Sequence, residues 1–168
     1  MTAHWDEWVT AELIAELATR EVEIVRLPIG DWTFEPYGPY IGCMDGAKEK
    51  ISWFMDQCAA NGIKVLIDVH AMKDSQNGFD NSGISNKTTW TDENNFTHWD
   101  QAYGEWMGTW NNDLGKYDNI NWLNIQWGIN VSNNIILEWG AHEALYAIEP
   151  LNEPWWSSDL DVLKTYYR

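Results

Sequence analysis

The chain has 168 residues, 45% of them hydrophobic, enough for one domain with a core of its own. Ten Lys and Arg stand against 26 Asp and Glu, a formal charge of −16 whose field makes nucleic acid a poor partner. No apolar run approaches the ~20 residues of a membrane span, and the N-terminus has neither the basic start nor the apolar core of a signal peptide.

Taken in chain order, residues 9–19 read as a helix, with Leu13, Ile14, Leu17 and Ala18 recurring on one face and Thr10 as N-cap. Residues 22–29 read as a strand that ends where Pro28 removes a ladder donor. A Gly/Pro/Tyr-rich loop runs to Gly46. The spacing then predicts a helix over 46–60, with Ile51, Phe54, Met55 and Cys58 at i, i+3, i+4 and i+7 and Asn61-Gly62 closing it. Cys43 and Cys58 make no disulfide scaffold, and Cys58 reads as a buried free thiol. Residues 63–69 are a near-continuous β-branched run, the pattern of a strand buried on both faces.

After His70 a polar, Gly/Asn/Asp/Trp-rich stretch extends to Asn121. Within it Trp99, Ala102, Tyr103, Trp106 and Trp110 keep helical spacing, which predicts a short amphipathic helix. A connection of this length points to function. Asn86, Asn95 and Asn130 stand in glycosylation sequons. Over 122–139, Ile125, Ile129, Ile136 and Leu137 predict another helix, stopped by Gly140. Residues 145–151 read as a strand leading into Asn152-Glu153-Pro154.

Helix and strand thus alternate three times, the order of an α/β fold with a parallel sheet and right-handed crossovers. Such sheets carry their chemistry at the carboxyl ends of the strands, where Arg26, His70 and Glu153 fall. No dinucleotide, P-loop or nucleophile-elbow motif is present. The four histidines lack metal-ligand spacing, so neither a metal nor a cofactor is expected. Carboxylate chemistry remains. A strand-end Glu153 faces a cleft in which partial desolvation favours the protonated carboxyl that a general acid needs. Asn152 offers an amide to a substrate hydroxyl, and His70 a ring nitrogen. Arg26, inside an apolar strand, calls for a carboxylate partner. Asp68 reads as a structural hydrogen-bonding group, and Glu149 lies too far back along its strand to reach substrate. The 13 Trp are the compositional anomaly. Indole faces stack on sugar rings and on nucleobases alike, and the negative charge favours sugar.

Four segments occur together in order: residues 25–32 (Val-Arg-Leu-Pro-Ile-Gly-Asp-Trp), 67–70 (Ile-Asp-Val-His), 75–83 (Ser-Gln-Asn-Gly-Phe-Asp-Asn-Ser-Gly) and 149–154 (Glu-Pro-Leu-Asn-Glu-Pro). With them the chain resembles, over residues 4–156, the exo-1,3-beta-glucanases (glucan 1,3-beta-glucosidases) of glycoside hydrolase family 5. The nine-residue block is the most specific of the four.

The resemblance implies a (β/α)8 barrel that hydrolyses beta-1,3-glucan with retention. In this chain it implies Glu153 as acid/base, Asn152 as ligand of the 2-hydroxyl, and Arg26 and His70 as supporting polar groups. Phe79 becomes an aromatic wall of the sugar site, and Trp155 a further substrate contact. A complete barrel takes about 250 residues. Residues 1–168 therefore read as a single partial catalytic domain cut at both ends, holding roughly the second to fourth strand units. The nucleophilic Glu is expected outside the sequence, and the isolated chain is expected to be inactive. Beta-glucan is the implied partner, with no membrane, and the implied location is extracellular or in the cell wall. A non-catalytic glucan-binding segment and an endo-beta-glucanase of the same clan are the alternatives. Residues 71–74 (Ala-Met-Lys-Asp) depart from the family's usual Gly-Ala-Pro-Gly-like stretch and alter the rim of the cleft.

Overall fold

The computed structural model describes residues 2–79, 81–83, 90–91, 97–98 and 104–168. The elements in order are α1 (Thr2–Trp8), α2 (Ala11–Thr19), β1 (Ile24–Gly30), α3 (Ala47–Ala60), β2 (Lys64–Ala71), β3 (Trp90–Thr91), β4 (Thr97–His98), β5 (Gly108–Asn111), β6 (Lys116–Ile120), α4 (Trp122–Trp139), β7 (Leu145–Glu149) and α5 (Leu160–Tyr166). They fall into two compact units, Met1–Asp68 with Ser132–Glu149, and Val69–Val131 with Pro150–Arg168. Asp80, the sequons at Asn86 and Asn95, and Trp99, Ala102 and Tyr103 lie outside the described residues.

The first unit holds the sheet, in strand order β1-β2-β7. β2 and β7 are parallel, with Ile67 opposite Ile148 and Asp68 opposite Glu149. Lys64 N–H donates to Glu23 O at 2.8 Å, and Arg26 meets Asp68 a few residues further along both chains, so β1 runs the same way. Val65 and Ile67 are fully buried, as the β-branched run requires. β7 stops at Glu149, short of the predicted 151, because Pro150 has no N–H to continue the ladder.

The helices of this unit follow their caps and stripes. The Thr10 side chain accepts from Leu13 N–H at 3.2 Å and starts α2, whose one fully buried residue is Ile14. Leu13, expected on the same face, is 43% exposed. α3 buries Ile51, Met55 and Cys58. It ends as predicted, with Gly62 at φ 72° and Ile63 N–H returning to Cys58 O at 2.9 Å. α1 has no counterpart in the sequence reading because none of its residues is buried, so no stripe marks it.

Burial pushes the Cys58 thiol up to about 11, whereas Cys43 is exposed. A thiol reagent at about pH 8 is therefore expected to titrate one cysteine per native chain and two after denaturation. Two fast-reacting native thiols would contradict this packing of α3.

The second unit is built on loops and a hairpin. β5 and β6 pair antiparallel, Trp110 opposite Tyr117. This corrects the helix expected through Trp106 and Trp110. Gly108 sits at φ 149°, outside the helical region, and Asn111-Asn112-Asp113 turns the chain back. Tyr117 packs edge-on against Trp110, and its hydroxyl donates to Gly104 O at 2.8 Å. Burial raises that phenol's pKa. α4 begins in this unit and ends in the first. Its buried stripe is Ile125, Val131, Ile135 and Trp139, while Ile136 and Leu137 are 54% and 83% exposed. That corrects the expected face: the stripe with helical spacing runs through Asn124, Gly128, Val131, Ile135 and Trp139 and leaves Ile136 and Leu137 outside. Asp159 caps α5, and Tyr166 Oη donates to Pro150 O at 2.7 Å.

Candidate active site

In the second unit the chain leaves β2 at Ala71 and enters a turn in which Asp74 and Ser75 both adopt left-handed backbone, φ 62° and 59°. Irregular backbone of this kind carries polar groups that no helix or ladder satisfies, so side chains must do it. Gln76, 1% exposed, does most of it. Its Oε1 accepts from Met72 N–H at 3.1 Å, and its Nε2 donates to His70 O and to Asn152 O, both at 2.8 Å. One amide thus ties the end of β2 to the segment that follows β7. Asn152 N–H donates to Val69 O at 3.1 Å alongside it.

Asn77, equally buried, extends the tie by one residue. Its Nδ2 donates to Glu153 O at 2.9 Å and its Oδ1 accepts from Phe79 N–H at 2.9 Å. The backbone N–H of Trp155 returns to Gln76 O at 3.1 Å. The loop itself is fastened by Ser75, whose Oγ accepts from Gly78 N–H at 2.7 Å and shares a hydrogen bond with Ser82 Oγ. Three bonds therefore run between the 76–77 and 152–155 segments, and a fourth joins Asn152 to Val69.

Of the predicted site residues, His70, Phe79, Asn152, Glu153 and Trp155 are in this unit. His70 is half-buried, and Asn152 is 3% exposed. Phe79 and Trp155 meet edge to face with centroids 6.2 Å apart, and Trp156 follows at 5.4 Å from Trp155. This is an aromatic patch beside Glu153, with Trp156 itself 83% exposed. Glu153 sits at φ 42°, a conformation that costs an L-residue about 1–2 kcal/mol. The desolvation expected of its carboxyl is not found. The side chain is exposed and makes no hydrogen bond or ion pair among the described residues, because the bond to Asn77 holds the backbone carbonyl and leaves the side chain to solvent.

Arg26 belongs to the first unit, where it spans two carboxylates. Nη2 lies 2.9 Å from Asp68 Oδ2, and Nε 2.9 Å from Glu149 Oε2. Asp68 is fully buried, Arg26 39% exposed and Glu149 34%. The carboxylate partner expected for Arg26 is thus a pair, one member from the adjacent strand β2 and one from β7 beyond it.

Gln76 and Asn77 entered the sequence reading only as letters of a nine-residue block. The signal that marks them is chemical: two adjacent amides just past a buried strand. Such residues both donate and accept, as a buried irregular turn demands.

The strand order, the parallel pairing and the polar residues gathered at and past the strand ends are those of an α/β fold that carries its site at the carboxyl ends of its strands. The family model described as Cellulase (glycosyl hydrolase family 5) matches residues 1–122, and the chain belongs to that family. It is 31% identical over 175 residues to a glucan 1,3-beta-glucosidase of Yarrowia lipolytica, a match covering 100% of this chain and 34% of that protein. It is 38% identical over 94 residues to a glucan 1,3-beta-glucosidase of Blumeria graminis, covering 55% of this chain and 21% of that protein. Among solved structures, a rutinosidase from Aspergillus niger superposes with TM-score 0.54 at 18% identity over 87% of this chain and 34% of its own. An endoglucanase of Pseudomonas stutzeri gives 0.53 at 12% identity, over 94% and 36%. These two likenesses bear on the fold alone, which is that of a partial (β/α)8 barrel. The chain spans about a third or less of the length of these relatives.

Proposed function

We propose that the chain supplies the acid/base half of a retaining glycosidase that acts on beta-1,3-glucan. Glu153 gives its proton to the departing glycosidic oxygen and then takes one from the water that frees the sugar. The nucleophile comes from a segment outside this sequence, since retention needs a second carboxyl about 5–5.5 Å from the first. Asn152 binds the 2-hydroxyl, and His70 and Arg26 are the supporting polar groups. Phe79 and Trp155 form the wall against which a glucosyl ring stacks. Exo action releasing glucose, outside the cell or in its wall, completes the reading. The observation that carries it is a strand-end Glu153 whose backbone is fixed directly beside an edge-to-face aromatic pair.

The test has two arms. Titrating the 168-residue chain with laminari-oligosaccharides is expected to change Trp fluorescence saturably, with affinity falling about tenfold or more in Phe79→Ala, roughly the effect of losing one aromatic anchor. In the whole protein Glu153→Gln is expected to lower laminarin hydrolysis about 10²–10⁴-fold. Glucose release by the 168-residue chain itself would contradict a nucleophile elsewhere. Binding by the chain with full activity in the Glu153→Gln whole protein would favour a glucan-holding role for this segment, for which the exposed Glu153 carboxylate speaks.

A further inference from the structure

The left-handed backbone at Glu153 needs a cause, since nothing in an isolated Asn-Glu-Pro turn favours it. The glycine that such a φ usually selects is absent, and the residue that replaces it carries the chemistry. What surrounds the turn is a set of hydrogen bonds from a distant stretch of chain. Asn77 Nδ2 donates to the carbonyl of Glu153 itself, and Gln76 Nε2 to the carbonyl one residue earlier. The 76 positions between donor and acceptor exclude a purely local effect in both cases. Both amides are 1% exposed, so water does not compete for them. Each is also anchored at its other end, Gln76 by Met72 N–H and Asn77 by Phe79 N–H, so neither side chain can swing away.

We infer that Asn77, seconded by Gln76, is a positioning residue that holds Glu153 in its left-handed conformation and thereby aims the acid/base carboxyl. The same Asn77 side chain accepts from Phe79 N–H, so one amide sets the separation between the proton donor and the aromatic wall. The holding function follows from the geometry alone. Its catalytic consequence rests on the acid/base reading of Glu153.

The holding is tested by a stability cycle in the 168-residue chain that needs no activity. With Asn77 in place, Glu153→Gly is expected to give a folding equilibrium about 5- to 30-fold more favourable than Glu153→Ala, because glycine carries no penalty at that φ. With Asn77→Ala the turn relaxes, and the gap between the two position-153 variants is expected to shrink to about twofold or less. If the Asn77→Ala chain does not melt cooperatively, Asn77→Asp makes the same comparison, keeping the acceptor for Phe79 and replacing the donor to Glu153 by a carboxylate oxygen that repels its carbonyl. An undiminished gap in either background overturns the proposal.

The aiming is tested in the whole protein through the leaving group. Asn77→Ala is expected to lower kcat/KM for laminari-oligosaccharides about 10- to 100-fold, the scale of an ångström-sized misplacement. For a 2,4-dinitrophenyl beta-glucoside, whose phenolate departs without a proton, kcat/KM is expected to change less than about threefold. Equal losses on both substrates would reduce Asn77 to a structural residue. A gap that shrinks as expected, with no leaving-group split even in Glu153→Gln, would instead sink the acid/base reading and leave the holding intact.

Discussion

Gly104→Ala is expected to destabilise the second unit by about 3 kcal/mol or more, beyond the usual range for one added methyl group, because the methyl has nowhere to go. A Cβ built at this position falls 2.0 Å from Ser75 O, 2.4 Å from Gln76 C and 2.6 Å from Asn77 N. All three are backbone atoms, so no rotamer change relieves the clash. The loop must move as a piece, and it is the loop that ties Glu153. Trp106 N–H to Ser75 O at 3.0 Å and Glu105 N–H to Asp74 O at 2.9 Å fix the approach from the other side. A melting curve measures the loss, and oligosaccharide binding should fall with it as Phe79 shifts. Gly115→Ala is the control: φ is 60° but nothing lies within 4 Å, so only the backbone penalty of about 1 kcal/mol applies. Equal costs at the two positions would mean that the 74–77 loop does not pack on Gly104.

The contrast between those glycines bears on what a reader of the sequence can extract. Burial periodicity located β1, β2, β7, α2, α3 and α4 to within a few residues, because each buries one stripe or one face, and stripes are periodic. The reading failed where periodicity is ambiguous. Trp106 and Trp110 are spaced for a helix, yet Trp110 lies in a hairpin strand whose register is set by Tyr117 and by the turn at 111–115. In α4 apolar residues occupy several sides, so Ile136 and Leu137 looked equivalent to Ile135 until packing chose between them.

The site divides in the same way. Glu153 and Asn152 were legible as residues placed past a strand and Phe79 through its block, whereas His70, expected just past its strand, is the last residue but one of β2. The Gln76 and Asn77 ties were not, since each joins residues 76 positions apart and leaves no local pattern. The expectation of a desolvated Glu153 came from a general picture of strand ends. The chain's own geometry spends its buried polar groups on the backbone of that residue, not on its side chain.

Arg26→Met is expected to destabilise the first unit by about 3 kcal/mol, since it strands a fully buried carboxylate at Asp68. Glu149→Gln, at a side chain 34% exposed, should cost under about 1 kcal/mol. Arg26→Lys should fall between them: two edges of one guanidinium now serve Asp68 and Glu149, and an ammonium presents a single point of charge. Combining Arg26→Met with Asp68→Leu should recover most of the lost stability, because a buried pair replaced by apolar groups is often neutral. That double variant also separates two roles. If the guanidinium matters only by neutralising Asp68, the double variant melts like the parent and binds laminari-oligosaccharides as the parent does. If Arg26 also touches sugar, as the resemblance implies, stability returns and binding does not. The second outcome is expected from the substrate contact that the resemblance implies for Arg26, whose side chain is 39% exposed although it is held between two carboxylates.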